Sequence, residues 1–162
     1  MNEIRSIVLH CSDSSWGDAE EIDRWHEARW GAWTRDEKVS LRHIGYHAVI
    51  LNGYRRGSKL YDVRDDGVIE YGRPLDVAGV HVGNAGRNAD TLGVCMIGVR
   101  LFSLRQLHAT AELIAGWCVS SGLSADDVVG HCELDSAKTC PNVDMRIFRG
   151  TVERFLLASA SQ

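Results

Sequence analysis

Two short apolar runs constrain the fold more than any other feature of the sequence. Residues 4–9 form a run rich in β-branched side chains, and residues 93–99 are apolar without interruption. A continuous apolar run of this length is typical of a strand that is buried on both faces, in the middle of a sheet covered by helices. The sequence therefore predicts an α/β fold, with a single domain in which a central mixed β-sheet of about five strands is flanked by helices.

Local signals predict three helices. Residues 20–30 bring apolar and aromatic side chains to one helical face. Ser103 and Gln106 have the spacing of a capping box, and the helix that they begin is predicted to stop at Gly122. Residues 144–157 form a third segment with helical periodicity, and this segment closes the domain.

The remaining strands are predicted from apolar segments bounded by turn residues: 44–51, 59–63, 68–71 and 128–129. The Asp66-Gly67 pair is a strong hairpin signal. We therefore predict a hairpin whose turn joins residues 59–63 to residues 68–71.

Composition restricts the class of protein. A chain of 162 residues fits one domain, so residues 1–162 are predicted to be a single domain. The net charge of −4 argues against a nucleic-acid binder, because such proteins carry a basic stripe. No segment approaches the ~20 apolar residues that cross a membrane, and residues 7–9 are too short for a signal-peptide core. We expect no nucleic-acid partner, no membrane insertion and a location in the cytoplasm of the producing cell.

The five cysteines are an odd number, so they cannot form a closed disulfide framework. They indicate a reducing compartment, or cysteine used as a ligand or nucleophile. Three candidate metal ligands lie at predicted strand ends or just beyond: His10 ends the first strand, His131 ends the last short strand, and Cys140 follows nine residues later. Imidazole nitrogen and thiolate sulfur suit Zn²⁺, and three protein ligands leave a fourth position for water. By spacing alone, structural histidines and a buried cysteine are the alternative interpretation.

Several motifs occur together in a characteristic order: Ile7-Val8-Leu9-His10-Cys11-Ser12, Ile22-Asp23-Arg24-Trp25-His26, Ile44-Gly45-Tyr46-His47, Gly67-Val68-Ile69-Glu70-Tyr71-Gly72-Arg73, His81 through Asn88 to Gly93-Val94, and Gly130-His131 through Lys138-Thr139-Cys140-Pro141. Together they resemble the type-2 N-acetylmuramoyl-L-alanine amidases, the family that includes the peptidoglycan recognition proteins. The likeness is greatest to the small single-domain phage lysozymes that are zinc amidases, and it extends over residues 5–148.

The resemblance implies one Zn²⁺ per chain, held by His10, His131 and Cys140. It also implies that Tyr46 and Lys138 assist catalysis. The same resemblance places His81 and Asn88 in a loop that lines the substrate groove. The implied reaction is hydrolysis of the amide bond between N-acetylmuramic acid and L-alanine in peptidoglycan.

The sequence departs from the family pattern at three places. Residues 34–42 and residues 52–62 look like insertions that would widen or cover the groove. The loop between His131 and Cys140 is about one residue longer than in the most similar relatives, and Cys132 competes with Cys140 as a ligand. Among the remaining cysteines, Cys11 is expected to pack on the face opposite His10; two more, Cys95 and Cys118, are expected in the core.

The leading functional hypothesis is a phage or prophage endolysin. It would be a monomer that accumulates in the host cytoplasm and needs a holin to reach the cell wall. A muropeptide-recycling amidase would use the same site residues. A non-catalytic peptidoglycan-binding module on the same fold is a further alternative, against which the complete set of His10, His131 and Cys140 argues. A regulatory protein that uses this fold to bind another protein is another alternative, and the sequence leaves it open as a second activity. The tryptophans are interpreted as helix packing, with Trp16 or Trp33 available to stack on sugar rings.

Overall fold

A computed structural model describes residues 3–55, 60–83 and 87–161, and these form a five-stranded mixed sheet with helices on both faces. The strands are β1 (Ser6–Cys11), β2 (Ala48–Asn52), β3 (Asp66–Tyr71), β4 (Thr91–Met96) and β5 (Val128–Gly130). The helices are α1 (Ala19–Glu27), α2 (Leu104–Ser121), α3 (His131–Leu134) and α4 (Met145–Ala160), with a 3₁₀ turn at Ala125–Asp127. The predicted fold class is confirmed.

The strand order across the sheet is β3-β2-β4-β1-β5. Strand β1 pairs in parallel with β4 on one side and with β5 on the other. Strand β2 is parallel to β4, and only β3 runs antiparallel. The parallel strands therefore end at one edge of the sheet, where ligand sites of α/β proteins commonly form.

The two faces of the sheet carry two separate cores. Alternate residues of β1, β2 and β4 pack against α2 and α4, in a cluster that includes Leu9, Val94 and Met96. A smaller cluster on the other face includes Ile22 of α1 together with Val49 and Ile97. Helix α1 thus covers only part of its face, and the rest of that face is open to a cavity.

The predicted helix signals are confirmed with small shifts of their ends. Ser103 and Gln106 form the capping box of α2, and Gly122 is its C-cap. The closing helix begins after Asp144, whose side chain accepts from the Ile147 amide. At the last short strand the pairing stops at Gly130, so His131 begins α3 rather than ending the strand.

The predicted hairpin around Asp66-Gly67 is wrong. Residues 60–63 are not a strand, and Lys59 lies outside the described residues. Gly67 instead lies inside β3 with a φ of +83°, beside a register shift where β3 pairs with β2. The glycine conformation that resembled a turn therefore serves an irregularity within a strand. The antiparallel pair consists of β2 and β3. Residues 44–47 precede β2, and of these His47 bonds through its backbone to Gly93 of β4 and to Gly72.

Within the ranges described, no helix is both long and apolar enough to cross a bilayer.

Gly67 and Gly116 are predicted to respond oppositely to replacement by alanine. A Cβ on Gly67 would meet the backbone oxygen of Arg105 at 3.0 Å, and the positive φ costs about 1–2 kcal/mol for a residue with a side chain. Gly116 is helical and its Cβ would meet nothing within 4 Å. In urea unfolding we expect Gly67→Ala to destabilise the protein by at least about 1 kcal/mol and Gly116→Ala to stabilise it by about 0.5–1 kcal/mol. Equal stability of the two variants would contradict the assignment of Gly67.

Candidate active site

Three potential metal ligands converge at the edge of the sheet where β1 and β5 end. His10 is the penultimate residue of β1, His131 follows β5 directly, and Cys140 lies on the loop after α3. One nitrogen or sulfur atom from each lies within 4.8 Å of the others. The rings of His10 and His131 have centroids 4.6 Å apart. The three residues named from the sequence are therefore neighbours in the structure.

The donor atoms have the character that a metal needs. The buried Nε2 of His131 has no hydrogen-bond partner in the described part of the chain, which is costly for a polar atom unless a ligand occupies that direction. The Nδ1 of His10 lies 3.9 Å from the Cys140 sulfur. Two imidazoles and a thiolate are a donor set that suits Zn²⁺. The residues present therefore fit the metal that the sequence predicts.

Backbone and side-chain donors surround the Cys140 sulfur. The Cys11 amide donates to it at 3.1 Å, and the Cys140 carbonyl accepts from the Cys132 amide at 2.8 Å. The Cys11 and Cys140 thiols hydrogen-bond to each other, so the pKa at which this pair loses its first proton is lowered. Cys132 therefore fixes the Cys140 loop through its backbone, and its sulfur is not among the converging donors of the described residues.

Cys11 and Cys95 are buried as predicted, and both also contact the site. Cys11 lies against Cys140, and its sulfur accepts from the side-chain amide of Asn142 at 3.5 Å. The pKa of Tyr46 is raised well above its ordinary value by burial and by nearby thiols, with Cys95 foremost among them. Tyr46 therefore keeps its hydroxyl proton at neutral pH. Its ring lies 5.1 Å from that of His10.

Burial keeps the histidines of the site neutral. It lowers the pKa of His10 well below the ordinary value, and it lowers the pKa of His81 to about 3. Burial also lowers the pKa of His131; the charge of Lys138 adds to this shift and Asp135 opposes it. Neutral imidazoles retain a lone pair for a metal, so the lowered pKa values favour ligation near neutral pH.

A chain of hydrogen bonds extends from His10 through His81 to Thr91. The Nε2 of His10 lies 3.1 Å from the Nδ1 of His81, and the Nε2 of His81 lies 3.4 Å from the Thr91 hydroxyl. That hydroxyl donates to the Arg87 carbonyl at 2.7 Å. The side-chain oxygen of Asn88 accepts from the amides of His81 and Val82, so it holds the His81 backbone.

Two glycines make room for the His81 ring. A Cβ on Gly93 of β4 would lie 2.6 Å from Cγ of His81, and a Cβ on Gly79 would lie 2.4 Å from its Cδ2. Both distances are shorter than carbon atoms allow, so the ring fits only against bare backbone. His47 fixes one wall of this slot, because its Nδ1 accepts from the Gly93 amide at 2.9 Å.

The motif on α1 positions the segment that carries Tyr46. One oxygen of Asp23 accepts from the amides of His43 and Ile44, at 2.6 and 2.7 Å. Nδ1 of His26 accepts from the Gly45 amide at 2.9 Å. Residues 43–45 are therefore held by side chains of a helix rather than by a strand, which explains why this segment is ordered before β2 begins.

The site opens into a cavity of about 650 Å³. Tyr46, Lys138, His81 and Asn88 all border it, together with the three candidate ligands. The structure thus brings all seven predicted site residues to one cavity. Their individual roles remain predictions.

The comparisons with known proteins agree with this geometry. The model of the N-acetylmuramoyl-L-alanine amidase family (Amidase_2) matches residues 1–143. The chain belongs to this family. The endolysin of Klebsiella phage KP32 is 26% identical to it in an alignment 155 positions long, which covers 89% of this chain and 84% of that protein.

Solved structures of amidases and a recognition protein share the fold. The N-acetylmuramoyl-L-alanine amidase LysC from Clostridium intestinale URNW has a TM-score of 0.71 at 20% identity, over 93% of this chain and 85% of that one. Drosophila PGRP-LB, solved in complex with tracheal cytotoxin, has a TM-score of 0.61 at 20% identity, over 87% and 76% of the two chains. The α/β domain of this amidase-family member is therefore the amidase and recognition-protein fold.

Two cavity residues of the amidase-family chain were missed by sequence reasoning. Arg29 and Trp30, just beyond the end of α1, line the cavity. Arg29 is exposed and forms no ion pair among the described residues. The predicted stacking residues Trp16 and Trp33 lie elsewhere: Trp16 packs on Trp25, and the Trp33 indole donates to the Leu41 carbonyl. Helical periodicity alone assigned Trp30 to packing.

The two insertions do not border the cavity in the described part of the amidase chain. Residues 34–42 form a loop closed by the Trp33 amide, which donates to the Arg42 carbonyl, and Leu41 packs on the cluster that contains Ile22 of α1. Residues 56–59 of the second insertion lie outside the described residues. In the rest of it, Arg55 pairs with Asp65 and Glu70. The expectation that these segments widen or cover the groove is not met by their described residues.

Asp23 is predicted to stabilise the segment of residues 43–45 that leads to Tyr46. Removal of its carboxylate by Asp23→Ala leaves the His43 and Ile44 amides without their acceptor, at a cost of about 1–3 kcal/mol. Asp23→Asn keeps the accepting oxygen and is the matched control, with a smaller loss. Denaturant unfolding of the metal-free protein measures both. Wild-type stability of Asp23→Ala would contradict the role of this clamp.

Proposed function

We propose that the protein is a zinc-dependent N-acetylmuramoyl-L-alanine amidase, with residues 1–162 as one catalytic domain. Its substrate would be peptidoglycan, cut between N-acetylmuramic acid and L-alanine. One observation carries the proposal: His10, His131 and Cys140 converge at the floor of a cavity, with the Nε2 of His131 left without a partner in the described chain. Membership of the amidase family supplies the reaction class.

We propose further that the protein acts as a phage endolysin. Support comes from its similarity to the endolysin of Klebsiella phage KP32. In this role a monomer is made in the host cytoplasm and reaches the cell wall through a holin lesion. It then cleaves peptidoglycan without inserting into the membrane or binding nucleic acid.

The residues around the ligands suit amide hydrolysis. A bound Zn²⁺ lowers the pKa of its water and polarises a carbonyl oxygen. Lys138 borders the cavity, and its charge lowers the pKa of the ligand His131, so its ammonium lies close to the reacting centre. In this position it stabilises the oxyanion that develops on the scissile carbonyl.

Tyr46 borders the same cavity, with its ring 5.1 Å from that of His10. It is proposed to orient the attacking water, or to pass a proton to the leaving amine. Its raised pKa, caused first by burial, keeps the hydroxyl protonated and able to donate a hydrogen bond. Asp23 and His26 hold the amides of Ile44 and Gly45, the two residues that precede Tyr46.

The metal assignment predicts about one zinc per chain. We expect chelation to abolish the release of L-alanine amino groups from intact sacculi, and zinc to restore it. Removal of a group that only hydrogen-bonds to a metal ligand lowers metal affinity about 10- to 100-fold. Cys140→Ala removes a ligand itself, so it should lower zinc affinity by more than this. Cys132→Ala is the matched control and should retain the metal, since its sulfur does not join the donors. A Cys140→Ala protein with one zinc and full activity would contradict the ligand set.

The role of Lys138 predicts a separation of binding from turnover. Lys138→Ala should retain zinc and lose about 10²- to 10³-fold in kcat, the usual effect of removing an oxyanion donor. Lys138→Arg keeps the charge and should recover part of this loss. Steady-state hydrolysis of soluble muropeptides measures both variants. Unchanged turnover in Lys138→Ala would exclude the role.

A further inference from the structure

The hydrogen-bond chain behind His10 has a direction that can be deduced from its far end. The Thr91 hydroxyl has one proton, and it donates this proton to the Arg87 carbonyl at 2.7 Å. Toward His81 the same oxygen is therefore an acceptor, which assigns the proton between them to Nε2 of His81. A neutral imidazole carries one ring proton, so Nδ1 of His81 must be the acceptor.

The next link follows from the same argument. Nδ1 of His81 lies 3.1 Å from Nε2 of His10, and since the first is an acceptor the second carries the proton. His10 then presents the lone pair of Nδ1 toward the Cys140 sulfur, 3.9 Å away. The Arg87 carbonyl accepts the Thr91 proton, and this determines which ring nitrogen of His81 carries a proton. His81 in turn determines which nitrogen of His10 is left to bind a metal.

We propose that His81, anchored by Thr91, is a positioning residue that fixes the tautomer and ring orientation of His10 so that Nδ1 binds the metal. The inference rests on the proposed zinc site and deepens it. It also changes the predicted role of His81, since both of its ring nitrogens are used within the protein and neither is left for substrate. His81 acts through His10.

The packing around His81 supports a positioning role. His81 is 6% exposed, and its ring lies against the bare backbone of Gly79 and Gly93. Asn88 fixes its backbone through two amide hydrogen bonds. An uncharged acceptor orients His10 without adding a negative charge beside a site that already contains a thiolate. The positive charge of a bound metal is therefore preserved for the reaction.

The first test uses the metal-free protein, so that it does not depend on activity. Long-range ¹H–¹⁵N spectra of the histidine rings at neutral pH report which nitrogen carries the proton. We expect His10 and His81 both to be protonated at Nε2. Protonation of His10 at Nδ1 would overturn the proposal, whatever reaction the protein catalyses.

The second test measures zinc affinity by competition with a chelating dye. Thr91→Val removes the anchor with little change of shape, while Thr91→Ser keeps the hydroxyl and is the matched control. His81→Leu removes the acceptor, and His81→Asn restores one near the position of Nδ1. We expect losses of about 10- to 100-fold for His81→Leu and about 10-fold for Thr91→Val. The two control variants should stay near the wild-type affinity.

The outcomes separate this inference from the proposed function. Zinc binding by wild-type protein together with unchanged affinity in Thr91→Val would overturn the positioning role and leave the zinc site intact. No zinc binding by the wild-type protein would instead contradict the proposed function. If His81→Leu fails to fold, the pair of Thr91 variants decides the question, because a β-branched side chain is retained in the strand by Thr91→Val.

Discussion

The parallel pairing of β1 on both of its edges is the constraint on which the rest of the molecule depends. It places the carboxyl end of β1 beside the end of β5, so His10 and His131 meet although 120 residues separate them in the sequence. The same register places His10 opposite Cys95 of β4. Side chains behind the site therefore come from the centre of the sheet, whose backbone is fixed by hydrogen bonds on both sides, so the candidate ligands are attached to a rigid part of the fold.

Burial of several uncharged imidazoles gives the site its electrostatic character. Desolvation lowers the pKa values of His10, His81 and His131, so these rings enter the low-dielectric region without charge. Lys138 and Arg29 line the cavity and are exposed. The buried rings thus offer lone pairs and the exposed residues offer positive charge, an arrangement that suits a cation inside and would attract anionic groups from solvent.

The sequence was sufficient for the fold class and for the convergence of His10, His131 and Cys140, because strand ends and family motifs are local in the chain. It was insufficient where tertiary packing decides. Gly67 indicated a turn, yet its positive φ serves an irregularity inside β3. The chain from His10 to His81 joins residues 71 positions apart, and no local pattern encodes such a contact. Trp30 reached the cavity because α1 stops at Glu27, a boundary that periodicity did not define.

The slot around His81 limits which amino-acid substitutions can be accepted in the inner wall of the cavity. Gly79 and Gly93 already have the smallest side chain available, so no substitution at either position can widen the slot. Substitutions at positions 79, 81 and 93 alone therefore cannot place a larger ring at position 81. Smaller side chains are accessible, but they leave a void and lose the contact with His10. Diversification of this cavity has to proceed through its outer rim, at residues such as Arg29 and Trp30, while the inner wall stays fixed by geometry.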